Sequence, residues 1–335
     1  DFDGYMALCN RYNLVPLIVV NIFSSERPRG PSVAQLKQTA VEWVRYAQQK
    51  DFEVAYWQIG NEVDHHPDLL TKREYVDRYV DFVSAMKEVD ASIRCGPGIL
   101  RKTGYLNSIL ARNADLVDFV TCHQYMWGVQ REGSTYEKWK DHTGNYIRNV
   151  TRMAQAVRQS DKPDLEILVT ETGVTPANDT LGRRNNTYKA LWWFEVLMDE
   201  IGTENVSYIY YWGAHSPWQG PEGSTDKDVG ILLRLDHSGL TPTGEATKLA
   251  NEFILDRMLE TQRVAGPLRT YATASKDGDA VNIVIVSRNN EAESVVLHLN
   301  NDGQTGRTFS QRIVKGDDPY DLSLDVIDLA GTLTA

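Results

Sequence analysis

Two segments of the 335-residue chain carry a glutamate directly after an apolar, strand-like run: Trp57-Gln58-Ile59-Gly60-Asn61-Glu62 and Val169-Thr170-Glu171-Thr172-Gly173. Two such carboxyl groups in one cavity can cleave a glycosidic bond. One protonates the departing oxygen, and the other meets the positive charge that develops at the anomeric carbon. Groups about 5–5.5 Å apart allow direct attack with retention of configuration, whereas about 6.5–9.5 Å leaves room for water and gives inversion. The negative charge of one carboxylate also favours the protonated form of the other, which lets a glutamate act as an acid. A single strand-end carboxylate is more often a cap or a salt-bridge partner. Here the setting occurs twice, and that singles the pair out.

Other polar and aromatic side chains fall at comparable places: Asn21 after Leu14–Val20, Asn61 beside Glu62, His123 and Tyr125 in Asp118–Tyr125, and Trp212 with His215 after Ser207–Tyr211. Each has a plainer reading as a turn former, a packed core residue or a satisfied hydroxyl. His65 and His66 follow Glu62, and Glu62-x-x-His65 has metal-ligand spacing. That spacing has meaning on a helix, however, and this stretch reads as a loop. With HExxH absent, a loop lining a substrate groove is the better account, and neither a metal nor a cofactor is expected. Trp127, Trp139 and Trp218 lie in long loops as outer binding surfaces or as packing, while Trp192-Trp193 reads as helical core. Cys9, Cys95 and Cys122 are odd in number and widely spaced, as buried apolar residues would be.

The elements that must position these residues repeat in one rhythm to about residue 262. Strand candidates are Leu14–Asn21, Val54–Glu62, Ser92–Ile99, Asp118–Tyr125, Glu166–Gly173 and Ser207–Ala214. They are continuously apolar rather than alternating, which suits strands covered on both faces. Helical periodicity covers Ser32–Gln49, Glu74–Val89, Ile147–Arg158, Leu191–Ile201 and Ala246–Leu259. Ser32 and Thr71 stand at N-cap positions, and Thr71 with Glu74 makes a capping box. Strand–helix alternation predicts βα units and a parallel sheet. No Gly-rich phosphate motif follows any strand, which argues against a nucleotide-binding sheet. The polar residues gather at successive strand C-termini, the arrangement of a (β/α)8 TIM barrel active site. Six strands are present and a barrel needs eight, so two strands are expected upstream of the chain. The expected division is a barrel over 1–262 and a small antiparallel β-sandwich over 263–335. The sandwich strands are Val281–Ser287, Ser294–Leu299 and a run near Thr308–Val314, with no clear closing strand.

The net charge of −11 disfavours nucleic acid and anionic membrane surfaces as partners. No apolar run of about 18 residues reads as a membrane span. The 8 Trp and 16 Tyr suit a neutral sugar ligand, because a flat ring covers the apolar C–H face of a sugar.

Gly60-Asn61-Glu62 after one strand and Thr170-Glu171 ending another three later resemble clan A of the glycoside hydrolases. Within it, Asp1–Asn21, the Ile59–Asp64 segment and Asp118–Tyr125 are most similar to family 51 arabinofuranosidases and family 39-like enzymes. The resemblance implies a retaining glycosidase acting on plant- or algal-type oligo- or polysaccharides, with Glu62 as acid/base and Glu171 as nucleophile. The six strands would be strands three to eight. The resemblance also implies that Asn61 binds the sugar 2-OH, that Tyr125 orients the nucleophile and that Trp212 floors the sugar pocket. His123 and Asn21 would line the same mouth. A secreted or periplasmic location is favoured over the cytoplasm. Thr172-Gly173-Val174 departs from the Trp-rich continuation of typical arabinofuranosidases and leaves the sugar open. A catalytically inactive carbohydrate-binding barrel is the alternative. A barrel acting on phosphorylated metabolites ranks last, for want of a phosphate loop.

Overall fold

The computed structural model describes residues 1–23, 30–125, 135–143, 145–173, 185–214, 232–234, 238–261, 266–292, 294–296 and 310–329. The chain divides into two compact units. The first comprises Asp1–Gln124, Ile147–Thr172 and Glu200–Tyr210, and the second Tyr125–Tyr146, Gly173–Asp199 and Tyr211–Ala335. Among the described residues, no helix is long and apolar enough to cross a membrane.

Strands β1 (Leu17–Val20), β2 (Tyr56–Ile59) and β3 (Cys95–Pro97) pair in parallel, in that order. Strands β4 (Phe119–Tyr125), β5 (Glu166–Gly173) and β6 (Val206–Tyr211) form a second sheet, again in chain order. Helices α1 (Phe2–Tyr12), α2 (Val33–Gln49), α3 (Lys72–Val89), α4 (Thr103–Asn113), α5 (Tyr136–Asp141), α6 (Arg148–Arg158), α7 (Thr187–Ile201) and α8 (Pro242–Phe253) alternate with the strands. The fold is mixed α/β. Between β3 and β4, Thr121 Oγ1 donates to Pro97 O at 2.8 Å and His123 N–H donates to Leu100 O at 3.0 Å. Tyr56 of β2 packs edge-on against Phe119 of β4 at 5.1 Å and Tyr208 of β6 at 5.6 Å, with Leu168 of β5 and Leu17 of β1 in the same cluster. Tyr56 thus meets rings of β4 and β6, and its hydroxyl donates to Glu166 of β5 at 3.0 Å, so these strands lie about a shared apolar interior. Among the described residues the ladders make these two sheets and no closed ring.

Local chemistry explains the helix boundaries. Ser32 with Gln35 and Thr71 with Glu74 both form complete capping boxes. Helix α2 buries Leu36, Ala40, Val41, Val44 and Ala47, the 3–4 spacing of one helical face. Trp43 lies at the edge of that stripe, 41% exposed, with its ring 6.0 Å from Phe2. Several elements differ from the sequence pattern. Helix α8 ends at Phe253 rather than near Leu259. The next residue is extended, and Arg257–Leu259 forms β7, because Thr273 and Asn282 side chains bond the Phe253 carbonyl and a sheet partner is at hand. Strand β2 stops at Ile59, three residues before Glu62, because Gly60 and Glu62 take positive φ (79° and 47°) and leave the ladder.

The second unit holds an antiparallel sheet of β7 (Arg257–Leu259), β8 (Leu268–Ala274) and β9 (Val281–Ser287), and a separate antiparallel pair, β10 (Gln311–Lys315) with β11 (Asp325–Leu329). Strands β8 and β11 have no counterpart in the sequence-based reading. Residues 294–296 are not a strand, and the remainder of Ser294–Leu299 lies outside the described residues. Arg288, just past β9, is fully buried and forks onto Glu195 of α7 at 2.9 and 2.6 Å. It also donates to the Trp139 and His142 carbonyls and lies over the Trp139 and Tyr146 rings. Trp139, Trp192 and Trp193 are likewise buried here, so these three pack the core. Trp127, Trp218 and His215 fall outside the described residues.

Candidate active site

Glu62 sits on the turn after β2, its side chain 22% exposed, and Glu171 sits near the end of β5 at 14%. Between them lies His123 of β4, fully buried. Its Nδ1 is 2.9 Å from Glu62 Oε1 and 3.3 Å from Glu171 Oε2. One oxygen of each carboxylate and this nitrogen all lie within 4.8 Å of one another. Both neighbours of Nδ1 are acceptors, so Nδ1 carries a proton; it is donated to Glu62, with Glu171 at ion-pair distance. Among the described residues Nε2 has no hydrogen-bond partner. The histidine therefore clamps two like charges that would otherwise repel.

His65 Nδ1 approaches the other Glu62 oxygen, Oε2, at 3.2 Å. The hydrogen bond from His123 is the main influence holding the Glu62 carboxyl below its ordinary range. Partial burial opposes it, and the charge of His123 and the bond from His65 add to it. Protonated Glu62 is accordingly an acid-side species in the unliganded protein.

The Glu62 turn is built by close backbone approach. Val63 N–H donates to Gly98 O, and Gly98 N–H to Ile59 O, both at 3.1 Å. A Cβ on Gly98 would stand 2.0 Å from Gly60 O, and one on Gly60 would meet Ile22 and Val63 at 2.7 Å. Neither position admits a side chain without moving the loop. The buried Tyr75 hydroxyl donates to Ile59 O at 2.9 Å and accepts from Gly98 N–H at 3.2 Å. Asp64 is 1% exposed, and its carboxylate accepts backbone N–H bonds from Leu100, Arg101 and Lys102 at 2.6, 3.1 and 2.9 Å. Lys102 Nζ returns a bond to the Asp64 carbonyl at 2.8 Å. On the other side, Asn149 Nδ2 donates to His123 O at 2.9 Å.

The remaining expected residues occupy varied settings. Asn61 is half-buried and accepts from Gln58 Nε2 at 3.3 Å. Asn21 is exposed, and its Oδ1 accepts from Phe23 N–H at 3.0 Å, a local turn bond. Tyr125 closes β4, half-buried, and Trp212 follows β6 with 56% of its surface exposed. These two belong to the second unit, whereas both glutamates, His123, Asn61 and Asn21 belong to the first. Sequence reasoning missed Asp64, Tyr75, Gly98 and Asn149. Asp64 offered the clearest signal, an acid two residues past Glu62 in a stretch with no other anchor. Among the described residues, two sets could hold a cation: Glu62, His65 and His66, and Glu62, His123 and Glu171. All three cysteines are buried and free.

No family model matches the chain, and no curated protein matches it by sequence. Solved structures do. The α-L-arabinofuranosidase from Thermotoga maritima, in an arabinose complex, superposes with a TM-score of 0.72 at 15% identity, over 98% of this chain and 74% of that one. A monomeric β-xylosidase from Caulobacter crescentus gives 0.60 at 18% identity, over 84% and 60%. A glucosidase from Croceicoccus marinus gives 0.62 at 15% identity, over 98% and 66%. The chain thus has the fold of glycoside hydrolases, and the neighbours include family 51 and family 39 members, the two families that its motifs resemble.

Proposed function

We propose that the chain is a retaining glycoside hydrolase in which Glu171 is the nucleophile and Glu62 the acid/base. The observation that carries this reading is the proximity of a Glu62 and a Glu171 oxygen, within 4.8 Å, bridged by one imidazole nitrogen. So close an approach of the nearest oxygens is compatible with the shorter carboxyl separation and supports direct attack. In the first step a Glu171 oxygen bonds to the anomeric carbon, the glycosidic C–O bond breaks, and Glu62 gives its proton to the departing oxygen. In the second, Glu62 takes a proton from water, whose oxygen displaces Glu171 and restores it. His123 keeps both carboxylates aimed at one point without a cofactor.

The six strands of the α/β part are best placed as strands three to eight of a (β/α)8 barrel, with 1–262 as the catalytic domain. Supporting this are the curl about Tyr56 and the superposition on longer glycosidase chains. Residues 263–335 then supply a trailing antiparallel β-sandwich, for which the ladders β7–β8–β9 and β10–β11 are the material. Asn61, Tyr125 and Trp212 are proposed to contact the sugar, with Asn21 at the rim. The substrate is a plant- or algal-type oligo- or polysaccharide, and the neighbours' names make arabinofuranosides and xylosides the first to try.

The test is a panel of aryl glycosides, arabinofuranoside, xyloside, glucoside and galactoside, with product anomers followed by NMR. The expected result is turnover with retention. Glu171→Ala should lose roughly a thousandfold or more of the rate and Glu62→Ala about 10²–10⁴-fold, with azide restoring part of the Glu62→Ala rate. Wild-type rates in both variants, or inversion, would overturn the assignment.

A further inference from the structure

The turn that carries Glu62 also carries His65 and His66, both exposed, and the double-displacement mechanism needs neither imidazole as a reacting group. Glu62, His65 and His66 each offer a ligand atom within 4.8 Å of the others. Four ligands bound at about 2.0–2.2 Å around tetrahedral zinc stand roughly 3.3–3.6 Å apart. The His65 Nδ1 to Glu62 Oε2 distance of 3.2 Å is just short of that edge. The His65 and His66 rings stack, with centroids 4.9 Å apart and planes 12° from parallel. A metal lies in the plane of each imidazole it binds, so one ring must turn to close the site. His66 is exposed and can turn on its solvent side; among the described residues the other ring beside it is Phe23, edge-on at 6.4 Å.

We propose that Glu62, His65 and His66 form a binding site for a zinc-type dication that inhibits the protein by capturing the Glu62 carboxylate. The inhibitory part rests on the proposed acid/base role of Glu62; the binding part does not. Two imidazoles and one carboxylate suit zinc, copper or nickel rather than magnesium or calcium, and three protein ligands leave a position for water. The second set, Glu62, His123 and Glu171, is the poorer site. A metal on His123 Nδ1 would push the ring proton onto Nε2, which is buried and has no partner among the described residues. Ligating histidines need a partner for the second nitrogen. His65 and His66 have water for that purpose. The ion would hold the Oε2 side of Glu62, leave the His123 clamp in place and deny the carboxyl its proton.

The experiment is calorimetric titration of the full chain with zinc chloride in a non-chelating buffer near neutral pH, beside His66→Ala and the pair His65→Ala, His66→Ala. Thermal melts of each variant check folding, and both side chains lie at the surface. The expected result is one zinc per chain, with affinity reduced about tenfold or more in the double variant. A parallel assay with the aryl glycoside follows inhibition relative to each variant's own rate and its reversal by EDTA. Absence of a single zinc site, or unchanged affinity in the double variant, overturns the site. Zinc bound through the two histidines without loss of rate overturns the inhibitory part alone. Zinc bound in that way by a chain that hydrolyses no glycoside supports the site and counts against the catalytic reading instead.

Discussion

Glu62 and Glu171 belong to different strand ends, yet one oxygen of each lies within hydrogen-bonding reach of the same nitrogen, His123 Nδ1, at 2.9 and 3.3 Å. One imidazole nitrogen stands between the pair, and changes in its bond to Glu62 should be visible in both rate and pH dependence.

The first prediction concerns pH. Glu62's carboxyl is held below its ordinary range, chiefly by the hydrogen bond from His123. The protonated form that can donate to a leaving group is therefore lost as pH rises from the acidic side. kcat/KM should fall along an acidic descending limb, since this ratio reports the free enzyme. His65→Ala removes one bond to the carboxylate, raises its pKa and should move that limb to higher pH. A limb that stays in place would separate Glu62 from the proton transfer. The same depression gives a stabilising contribution that is present above the unfolded pKa and lost as pH falls through the folded one.

Asp64 should behave as a positioning residue. Its carboxylate gathers three backbone N–H groups of the loop after β3 and so fixes the turn that carries Glu62. Asp64→Asn keeps one acceptor oxygen and replaces the other with a donor facing N–H groups. The expected cost is about 1–3 kcal/mol in stability, seen in urea melts. A drop in kcat with KM little changed at temperatures where the variant is fully folded would mark the loss of Glu62 aim. Unaltered kcat would limit Asp64 to a role in folding.

Gly98→Ala tests the close backbone approach. The new methyl would stand 2.0 Å from Gly60 O, which is backbone and cannot swing away. The loop must shift, so activity should fall further than the melt temperature alone explains. A crystal structure with Glu62 and His123 still 2.9 Å apart would contradict this.

In the second unit, Arg288→Met should be severely destabilising, by about 3–5 kcal/mol, because it strands the buried Glu195 carboxylate. Burial pushes that carboxyl up, against the lowering effect of Arg288, so the variant should also lose stability as pH rises and Glu195 must ionise unpaired. Replacing both partners with apolar residues of like volume should restore much of the loss. Equal melts for the single and double variants would show that the pair is not coupled.

Much of this was legible in the chain itself. Alternation of apolar strands with amphipathic, capped helices is a local property, so the α/β class and the boxes at Ser32 and Thr71 could be read from neighbours in sequence. The placement of Glu62, Glu171 and His123 after or within apolar runs was also readable, because the residues just past a buried strand are the ones that reach solvent. Their convergence was expected only through the barrel topology that the strand–helix alternation and the family resemblance imply. It depends on how three strands curl around Tyr56, a long-range packing outcome with no local signature. Helix α8 shows the same limit from the other side: its periodicity runs on past Phe253, but an available sheet partner outweighs helical propensity there. The anchors Asp64, Gly98 and Asn149 acquire meaning only when another loop arrives within hydrogen-bonding distance. Residue types fixed the chemistry available to this chain, and tertiary contact decided which of those residues meet.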